Sequence, residues 1–363
     1  MKPLKLLCSA DWHMDSPFRA LNALQSREMR ERARLLPGLL RDTAVERGAD
    51  MLLLSGDLFD SGRPYLESAR ELERAFEGLD IPVFISPGNH DYCSADSPWE
   101  RLVLPDNVHV FRKNRPECVP TDRAMVYGAA FTEPESRDIL SGFSAPRTPG
   151  KYNLLVLHAD LDGAGAYCPL PSRELARSGF DFAALGHIHR PVLPKKLGDT
   201  WYCYPGCPMG RGFDECGARG AMLITLDGSS CSGEFIELSR NRYETIEVPV
   251  TGRDACEALS EAVSRARPGD ICRFVLTGES SRPVPPGLVD TLAAKRGLFA
   301  ARLTDRTAPP ASDEGGLRGA LIRRFRLRME SAGSETQRRE LREALRWALA
   351  ALDGGEEPLE VRR

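Results

Sequence analysis

Residues 51–57, with the sequence MLLLSGD, combine a short apolar run with a Gly-Asp turn. A continuous apolar run of this length is typical of a strand that is covered on both faces of a parallel sheet. The same pattern predicts a strand over residues 4–9 and another over residues 81–86, where the run leads into Pro-Gly-Asn. Stretches of helical character, residues 26–47 and 64–77, separate the three runs. This β-α-β-α-β order predicts a parallel α/β sheet with helices on its faces.

Further short strands are predicted along the chain as far as about residue 240, with turn residues between them. They are residues 108–111, 124–130, 153–157, 182–185, 200–204, 221–226 and 234–238. These strands indicate a second sheet packed on the first, so residues 1–240 are expected to form a four-layer α/β/β/α sandwich. Residues 241–306 predict a small separate α/β domain. Residues 307–363 predict a linker followed by a helical tail with two apolar stripes.

Five of the six histidines lie in short motifs where the predicted strands end, and only His109 lies elsewhere. Ligands of parallel sheets collect at the carboxyl ends of the strands, which are the positions of these motifs. Together with neighbouring carboxylates and an amide, the imidazoles suffice for two metal ions that share a bridging ligand. The motifs are Asp11-x-His13, Gly56-Asp57, Gly88-Asn89-His90-Asp91, His158 and His187-x-His189.

The spacing of the residues suggests which of them would bind the same ion and which would bind both. Asp11 and His13 are two residues apart, so in an extended chain both side chains point the same way. Asp57 follows a glycine that permits a tight turn, and it is the candidate for a carboxylate that bridges two cations. Taken singly, each motif is more typical of a capping pair, a turn or a core histidine. The ordered set instead predicts a two-metal site, which points to hydrolysis of a phosphate ester.

The ordered set D-x-H, GD, GNHD, H and GHIH resembles that of the calcineurin-like metallophosphoesterases. Within this family, the segments SADWHMDSPF, LLLSGDLFDSGRP, FISPGNHDY and ALGHIHRP are most similar to the SbcD-type subunits of bacterial DNA repair nucleases and to the shorter YhaO-like proteins. The resemblance covers about residues 1–240. It implies a metallophosphoesterase sandwich, a small α/β capping domain at residues 241–306, and a partner-binding helical tail.

The resemblance also implies a set of ligands for two divalent ions, with Mn²⁺ as the usual metal. It places Asp57 between the two ions and distributes the other ligands around it. One ion would have the ligands Asp11, His13, Asp57 and His189, and the other would have Asp57, Asn89, His158 and His187.

Three further residues receive catalytic roles from the resemblance. His90 is not a ligand in the family pattern; it would contact the scissile phosphate, where it stabilises charge or protonates the leaving oxygen. Asp91 would orient His90. Asp60 stands where some relatives carry a second catalytic histidine, and it would position His90 or a water, or serve only as a turn carboxylate.

The function implied by the resemblance is a metal-dependent DNA exonuclease, a phosphodiesterase acting in DNA repair. Arg19, Arg63 and Arg190 lie near the motifs and would contact backbone phosphates, unless they are ordinary surface arginines. The tail would dock on the coiled coil of an SbcC-like ATPase, or alternatively pack on the protein's own body. The sequence has no GxxxxGK[ST] motif, so ATP hydrolysis is expected from a partner. Paired subunits are common in such proteins, which makes a homodimer an option.

Composition sets broader limits. The net charge of −3 gives no global support for nucleic-acid binding, although residues 316–347 contain nine arginines and four glutamates. No apolar run approaches about 18 residues, and the N-terminus does not resemble a signal peptide, so a cytoplasmic protein without a membrane span is expected. The alternatives are a small-molecule phosphatase, a cyclic-nucleotide phosphodiesterase and, less favoured, a non-catalytic scaffold on the same fold.

Overall fold

The computed structural model of the chain describes residues 2–280, 282–308 and 316–352. The chain divides into two units, Met1–Arg242 and Tyr243–Arg363. The domain boundaries predicted from the sequence, at residues 240 and 306, stay predictions. Residues 309–315 and 353–363 of the predicted linker and tail lie outside the described residues.

The first unit contains two six-stranded sheets and a two-stranded ribbon. Its strands are β1 (Leu4–Ser9), β2 (Met51–Leu54), β3 (Val83–Ile85), β4 (Val108–Val110), β5 (Glu117–Pro120), β6 (Ala124–Gly128), β7 (Tyr152–His158), β8 (Asp160–Leu161), β9 (Pro169–Leu170), β10 (Phe182–Gly186), β11 (Val192–Leu197), β12 (Thr200–Tyr204), β13 (Gly220–Asp227) and β14 (Ser230–Glu237).

The first sheet has the order β14-β13-β1-β2-β3-β4, and the second has the order β11-β12-β10-β7-β6-β5. Strands β1 to β4 are parallel, whereas β13 and β14 are added in antiparallel orientation. In the second sheet β6, β7, β10 and β12 are parallel, with antiparallel strands at both edges. The carboxyl ends of the parallel strands therefore meet along one edge of each sheet, where the predicted ligands follow them.

Four helices and one 3-10 turn, Pro98–Glu100, accompany the strands of the described part of the first unit. The predicted helical stretch over residues 26–47 consists of two helices that are separated at Leu35, and the first of them begins at Ala23. Pro37 stands in the first turn of the second helix, where its missing N–H is tolerated, and it cannot continue the helix before it. The helices are α1 (Ala23–Arg34), α2 (Leu36–Arg47), α3 (Leu66–Ala75) and α4 (Ser172–Arg177).

The main core of the first unit lies between the two sheets. Leu6 and Leu53 of the first sheet share one buried cluster with Val126, Leu154 and Ala184 of the second sheet. Because side chains alternate along a strand, the neighbouring residues point to the opposite faces of the sheets. The side chains on these outer faces are fully buried as well. On the first sheet they are Leu7, Leu52 and Leu54, and the accompanying helices bury Met29, Leu40 and Leu72. On the second sheet they are Leu155, Leu157, Ala183 and Leu185, and α4 buries Leu175. The four-layer α/β/β/α sandwich predicted from the sequence is confirmed.

The second unit begins with a three-stranded parallel sheet in the order β15-β16-β17. Its connecting helices pack their apolar sides against the sheet, so that Leu259, Val263, Phe274 and Leu276 share one buried cluster. Asp254 caps the first of these helices through the backbone N–H groups of the following turn. The elements are β15 (Tyr243–Pro249), α5 (Ala255–Arg265), β16 (Ile271–Thr277), α6 (Leu288–Arg296) and β17 (Ala300–Asp305).

Two long helices, α7 (Gly316–Glu330) and α8 (Glu335–Leu352), end the described part of the second unit. Their predicted apolar stripes pack against each other, with Ile322 and Leu345 fully buried in the shared cluster. Leu317 and Leu327 remain exposed, at 72% and 66% of their surface. Among the described residues of the whole chain, no helix is long and apolar enough to cross a membrane.

Candidate metal centre

The predicted ligands lie at the ends of the parallel strands: His158 is the last residue of β7, and the others follow a strand. Asp11, His13 and Asp57 have left-handed backbone, with φ of 54°, 44° and 51°. The backbone N–H of Asp11 donates to the carbonyl of Gly56 at 2.9 Å, and that of His13 donates to the carbonyl of Asp57 at 2.9 Å. The expectation of an extended chain from Asp11 to His13 is therefore wrong. The chain turns there because its amides bond to the loop that follows β2, which brings the two loops together.

His13 and His189 face each other through their Nε2 atoms, which are 3.3 Å apart. Nδ1 of His13 donates to Oδ1 of Asp60 at 3.1 Å, and Nδ1 of His189 donates to Oε1 of Glu215 at 2.7 Å. These bonds hold both rings with Nε2 turned to the centre, where Oδ1 of Asp11 lies 3.8 Å from Nε2 of His189. Burial holds the pKa of His13 well below its usual range, so Nε2 keeps a lone pair for a cation.

His158 presents a second group of donor atoms. Its Nδ1 donates to the carbonyl of Ser55 at 2.9 Å, and its Nε2 faces Oδ1 of Asn89 at 3.0 Å and Oδ2 of Asp57 at 3.4 Å. Burial lowers the pKa of His158, but the carboxylates of Asp57 and Asp11 raise it, and the net shift is upward. The surroundings therefore favour a positive charge at this point, which a metal ion would supply.

The donor set fits two divalent cations. Oxygen and nitrogen atoms converge in overlapping groups whose members lie within 4.8 Å of one another, and Asp57 belongs to two of these groups. Its Oδ2 lies 3.4 Å from Nε2 of His158 and 3.7 Å from Nε2 of His13, between the two sets of imidazoles. Electron-rich atoms that face each other at these distances repel unless a proton or a cation lies between them. The groups are Asp11, His13 and His189; Asp11, Asp57 and His158; and His13, Asp57 and His90.

His187 lies beside His158, with ring centroids 5.3 Å apart. Its backbone, with φ of 95°, directs its N–H to Oδ1 of Asp11 at 3.0 Å. Burial and the neighbouring His158 lower the pKa of His187 to about 4, so its ring is neutral at physiological pH. A neutral imidazole is the form that ligates a metal, and the role predicted for His187 stays a prediction.

His90 differs from the other histidines because its side chain is exposed. Its backbone N–H donates to Oδ1 of Asp57 at 2.9 Å, and its Nδ1 donates to the backbone carbonyl of Asp60 at 3.0 Å. The ring of His90 lies edge-on to that of His13, with centroids 4.7 Å apart. His90 is thus fixed at the rim of the site. Its ring bonds the backbone carbonyl of Asp60, whereas the carboxylate of Asp60 bonds His13.

Asp91 is fully buried below this rim. Its carboxylate accepts hydrogen bonds from the backbone N–H groups of Gly88 at 2.8 Å, Leu58 at 2.8 Å and Phe59 at 3.3 Å. Burial and the nearby Asp57 raise the pKa of Asp91 to about 6. These contacts tie the loop that carries His90 to the loop that carries Asp57. An orienting effect of Asp91 on His90, through the backbone of these two loops, stays a prediction.

We expect Asp91→Ala to lower the free energy of unfolding by about 3 kcal/mol, because it leaves three buried N–H groups without their acceptor. Asp91→Asn keeps the shape and one oxygen, so its loss should be smaller. Urea unfolding followed by tryptophan fluorescence would measure both variants. Equal stability of Asp91→Ala and the unchanged protein would contradict this role.

Gly88 lies against the proposed bridging carboxylate. A Cβ atom at this position would stand 2.2 Å from Oδ1 of Asp57 and 2.8 Å from its backbone nitrogen. Gly88→Ala must therefore displace Asp57, and a shift of about 1 Å in such a site lowers activity by about 10²-fold. Gly62→Ala is the matched control, since a Cβ there meets nothing within 4 Å. Assays on bis-p-nitrophenyl phosphate would compare the two, and equal activities would refute the steric argument.

Arg211 and Glu215 were not predicted from the sequence, yet both border the site. Glu215 is buried, and its carboxylate accepts from His189 and from Nη2 of Arg211 at 2.9 Å. Burial alone would raise the pKa of Glu215, but these two donors lower it to about 2. Arg211 also places Nη1 3.5 Å from Oδ1 of Asp60. Both residues follow β12, a parallel strand of the second sheet. Their position after a parallel strand is the feature of the sequence that could have indicated them.

The arginines predicted to contact substrate phosphates lie at the surface. Arg19, Arg63 and Arg190 are all exposed, and Arg190 directly follows His189. Exposure suits a contact with a large anionic substrate, and it is equally usual for arginines in general. Their role stays a prediction.

The geometry defines a metal-dependent phosphoesterase site, and comparison with known proteins agrees. The model of the calcineurin-like phosphoesterase family matches residues 4–191, more than half of the 363-residue chain. The chain therefore belongs to the calcineurin-like phosphoesterases, as its motifs indicated. Members of this family use divalent metals, and the protein is a hydrolase of phosphate esters.

Individual relatives extend the similarity beyond the family domain. The chain is 30% identical to a Bacillus subtilis protein named as the uncharacterized metallophosphoesterase YhaO, over 79% of this chain and 76% of the relative. It is 26% identical to the DNA double-strand break repair protein Mre11 of Methanopyrus kandleri, over 76% of this chain and 65% of the relative. It is 24% identical to the SbcD component of the SbcCD nuclease of Escherichia coli K12, over 68% of this chain and 69% of the relative.

Proposed function

We propose that this phosphoesterase is a Mn²⁺-dependent DNA exonuclease that acts in DNA repair. The observation that carries the proposal is the position of Asp57, whose carboxylate lies between two sets of ligands and bonds the backbone of the exposed His90. The names of the Mre11 and SbcCD relatives support DNA as the substrate. An exposed His90 at the rim also suits a polymer, which must approach the site from the surface.

The proposed ligands are the ones that the sequence indicated. Asp11, His13 and His189 would hold one ion, Asn89 and His158 together with His187 would hold the other, and Asp57 would bridge them. When bound, the two cations neutralise charge on the phosphate and lower the pKa of an attacking water. Mixed oxygen and nitrogen ligation is compatible with Mn²⁺.

His90 would supply the proton chemistry of the protein itself. Its Nδ1 already donates to the carbonyl of Asp60, so Nε2 is the atom that would contact the substrate. A proton on Nε2 would stabilise charge on the scissile phosphate or pass to the leaving sugar oxygen. The carbonyl of Asp60 and the backbone bond to Asp57 fix the ring for this contact.

The helical hairpin formed by α7 and α8 is our candidate for binding an SbcC-like coiled-coil ATPase. The apolar stripes of the two helices are largely used within the hairpin, but Leu317, Leu327 and Leu352 remain exposed on it. Exposed leucines on a basic helical hairpin are suited to pairing with another helix. A homodimer is proposed on the family resemblance alone.

The test of the proposed function is digestion of end-labelled linear duplex and single-stranded DNA with Mn²⁺, with His90→Ala as control. Progressive loss of the end label in the unchanged protein, absent in the variant, is the expected result. If DNA stays intact while a small phosphate ester or a cyclic nucleotide is hydrolysed, the enzyme is a phosphatase or cyclic-nucleotide phosphodiesterase instead. If no phosphate ester is hydrolysed, the scaffold alternative gains support.

A further inference from the structure

The two halves of the metal centre are supported by different kinds of contact. Nδ1 of His158 donates to a backbone carbonyl, that of Ser55. Nδ1 of His13 and Nδ1 of His189 instead donate to the carboxylates of Asp60 and Glu215. The orientation of His158 is therefore set by the main chain, whereas that of the other two rings depends on side chains.

Arg211 joins these two carboxylates. Its Nη1 lies 3.5 Å from Oδ1 of Asp60, and its Nη2 lies 2.9 Å from Oε1 of Glu215. The backbone N–H of Arg211 donates to Oε2 of the same Glu215 at 2.8 Å. The arginine side chain is only 20% exposed, and the Glu215 side chain only 6%, so water screens these contacts weakly. One planar guanidinium thus holds both of the carboxylates that orient His13 and His189.

The loop that carries this pair is itself anchored. Arg219 is buried, and it donates from Nη1 to the carbonyl of His189 at 2.6 Å and from Nε to the carbonyl of Glu215 at 3.1 Å. The backbone of the loop is therefore fixed independently of the side chain of Arg211. Removal of that side chain should loosen the two carboxylates without releasing the loop.

We propose that Arg211, with Glu215 and Asp60, is a positioning residue that sets the affinity of one metal ion, the one held by His13 and His189, independently of the other. The inference rests on the proposed two-ion site. Partners that orient metal-binding histidines typically change metal affinity by about 10–100-fold when they are removed. The ion at His158 and Asn89 does not depend on this network, because its histidine is held by the Ser55 carbonyl.

The test is titration of the full-length, metal-free protein with Mn²⁺, by calorimetry and by the electron paramagnetic resonance signal of free Mn²⁺. The unchanged protein is expected to show two binding events. Arg211→Met should weaken one of them by about 10–100-fold, and Asn89→Ala should weaken the other. Arg147→Met is the matched control and should alter neither event, because the ion pair of Arg147 with Asp181 lies before β10, at the opposite end of that strand from His187 and His189.

Conservative variants separate positioning from general damage. Arg211→Lys keeps the charge but lacks the planar fork that reaches both carboxylates, so it should restore only part of the lost affinity. Glu215→Gln should weaken the same event as Arg211→Met. Thermal unfolding of the metal-free variants checks that each of them is folded.

The outcomes distinguish this inference from the proposed function. If the unchanged protein binds fewer than two Mn²⁺ ions, the two-ion site is wrong and the inference falls with it. The protein can instead bind two ions while Arg211→Met weakens neither binding event, weakens both equally, or weakens the same event as Asn89→Ala. Each of these results overturns only the inference about Arg211.

Discussion

Replacement of His90 by alanine is expected to lower the rate of phosphodiester hydrolysis by about 10²–10⁴-fold while both metal ions stay bound. The ring of His90 is exposed at the rim, and the contacts of its main chain do not depend on the side chain. Loss of the ring therefore removes the group that would give a proton to the leaving oxygen and leaves the buried ligands in place.

The measurement has to include metal content as well as rate, because the geometry leaves a rival role open. Donor atoms of His90, His13 and Asp57 lie within 4.8 Å of one another, so His90 itself could hold an ion. Dialysed His90→Ala protein that contains two Mn²⁺ ions and hydrolyses DNA slowly would support the catalytic role. Protein with one ion would show that His90 is a ligand. His109→Ala is a suitable control, since His109 lies on β4, outside the predicted motifs.

The second large effect is expected at Asp57. Asp57→Ala should lose both ions on dialysis and fall to background activity, because its carboxylate is the group that lies between the two sets of imidazoles. Without this carboxylate, neither ion would have the negatively charged ligand that the two would share.

Asp57→Asn separates charge from shape. The amide oxygen can still accept the backbone N–H of His90, so the rim should keep its structure while the negative charge is lost. We expect weak binding of metal and little activity in this variant, with thermal stability close to that of the metal-free parent protein. Elemental analysis after dialysis decides the matter, since two ions retained by Asp57→Ala would show that another group bridges them.

Much of the fold could be predicted because a strand that is buried on both faces of its sheet has an unbroken run of apolar residues. Strand β1 was predicted with its bounds, Leu4–Ser9, since parallel strands at the centre of a sandwich are apolar throughout. The helical stretch over residues 26–47 was predicted, but the break at Leu35 within it was not. Periodicity reports which face is buried and does not report where the backbone breaks.

The closeness of the candidate ligands could be predicted for a similar reason, since the strand ends of a parallel sheet converge whatever the loops between them do. Their orienting partners are harder to predict. Ser55 acts through a carbonyl that every residue possesses, and Asp60 and Glu215 act through carboxylates that look like those of any surface loop. The position of Arg211 and Glu215 after the parallel strand β12 is a clue only once the order of the second sheet is known.

The left-handed backbone at four proposed ligands has a consequence for the stability of the protein. Asp11, His13, Asp57 and His187 all have positive φ, a conformation that costs a non-glycine residue about 1–3 kcal/mol. Glycine would relieve this strain at each position, as it does wherever a chain must turn in this way. Selection for heat resistance alone would therefore favour glycine at these four positions. Each such substitution would remove one proposed metal ligand.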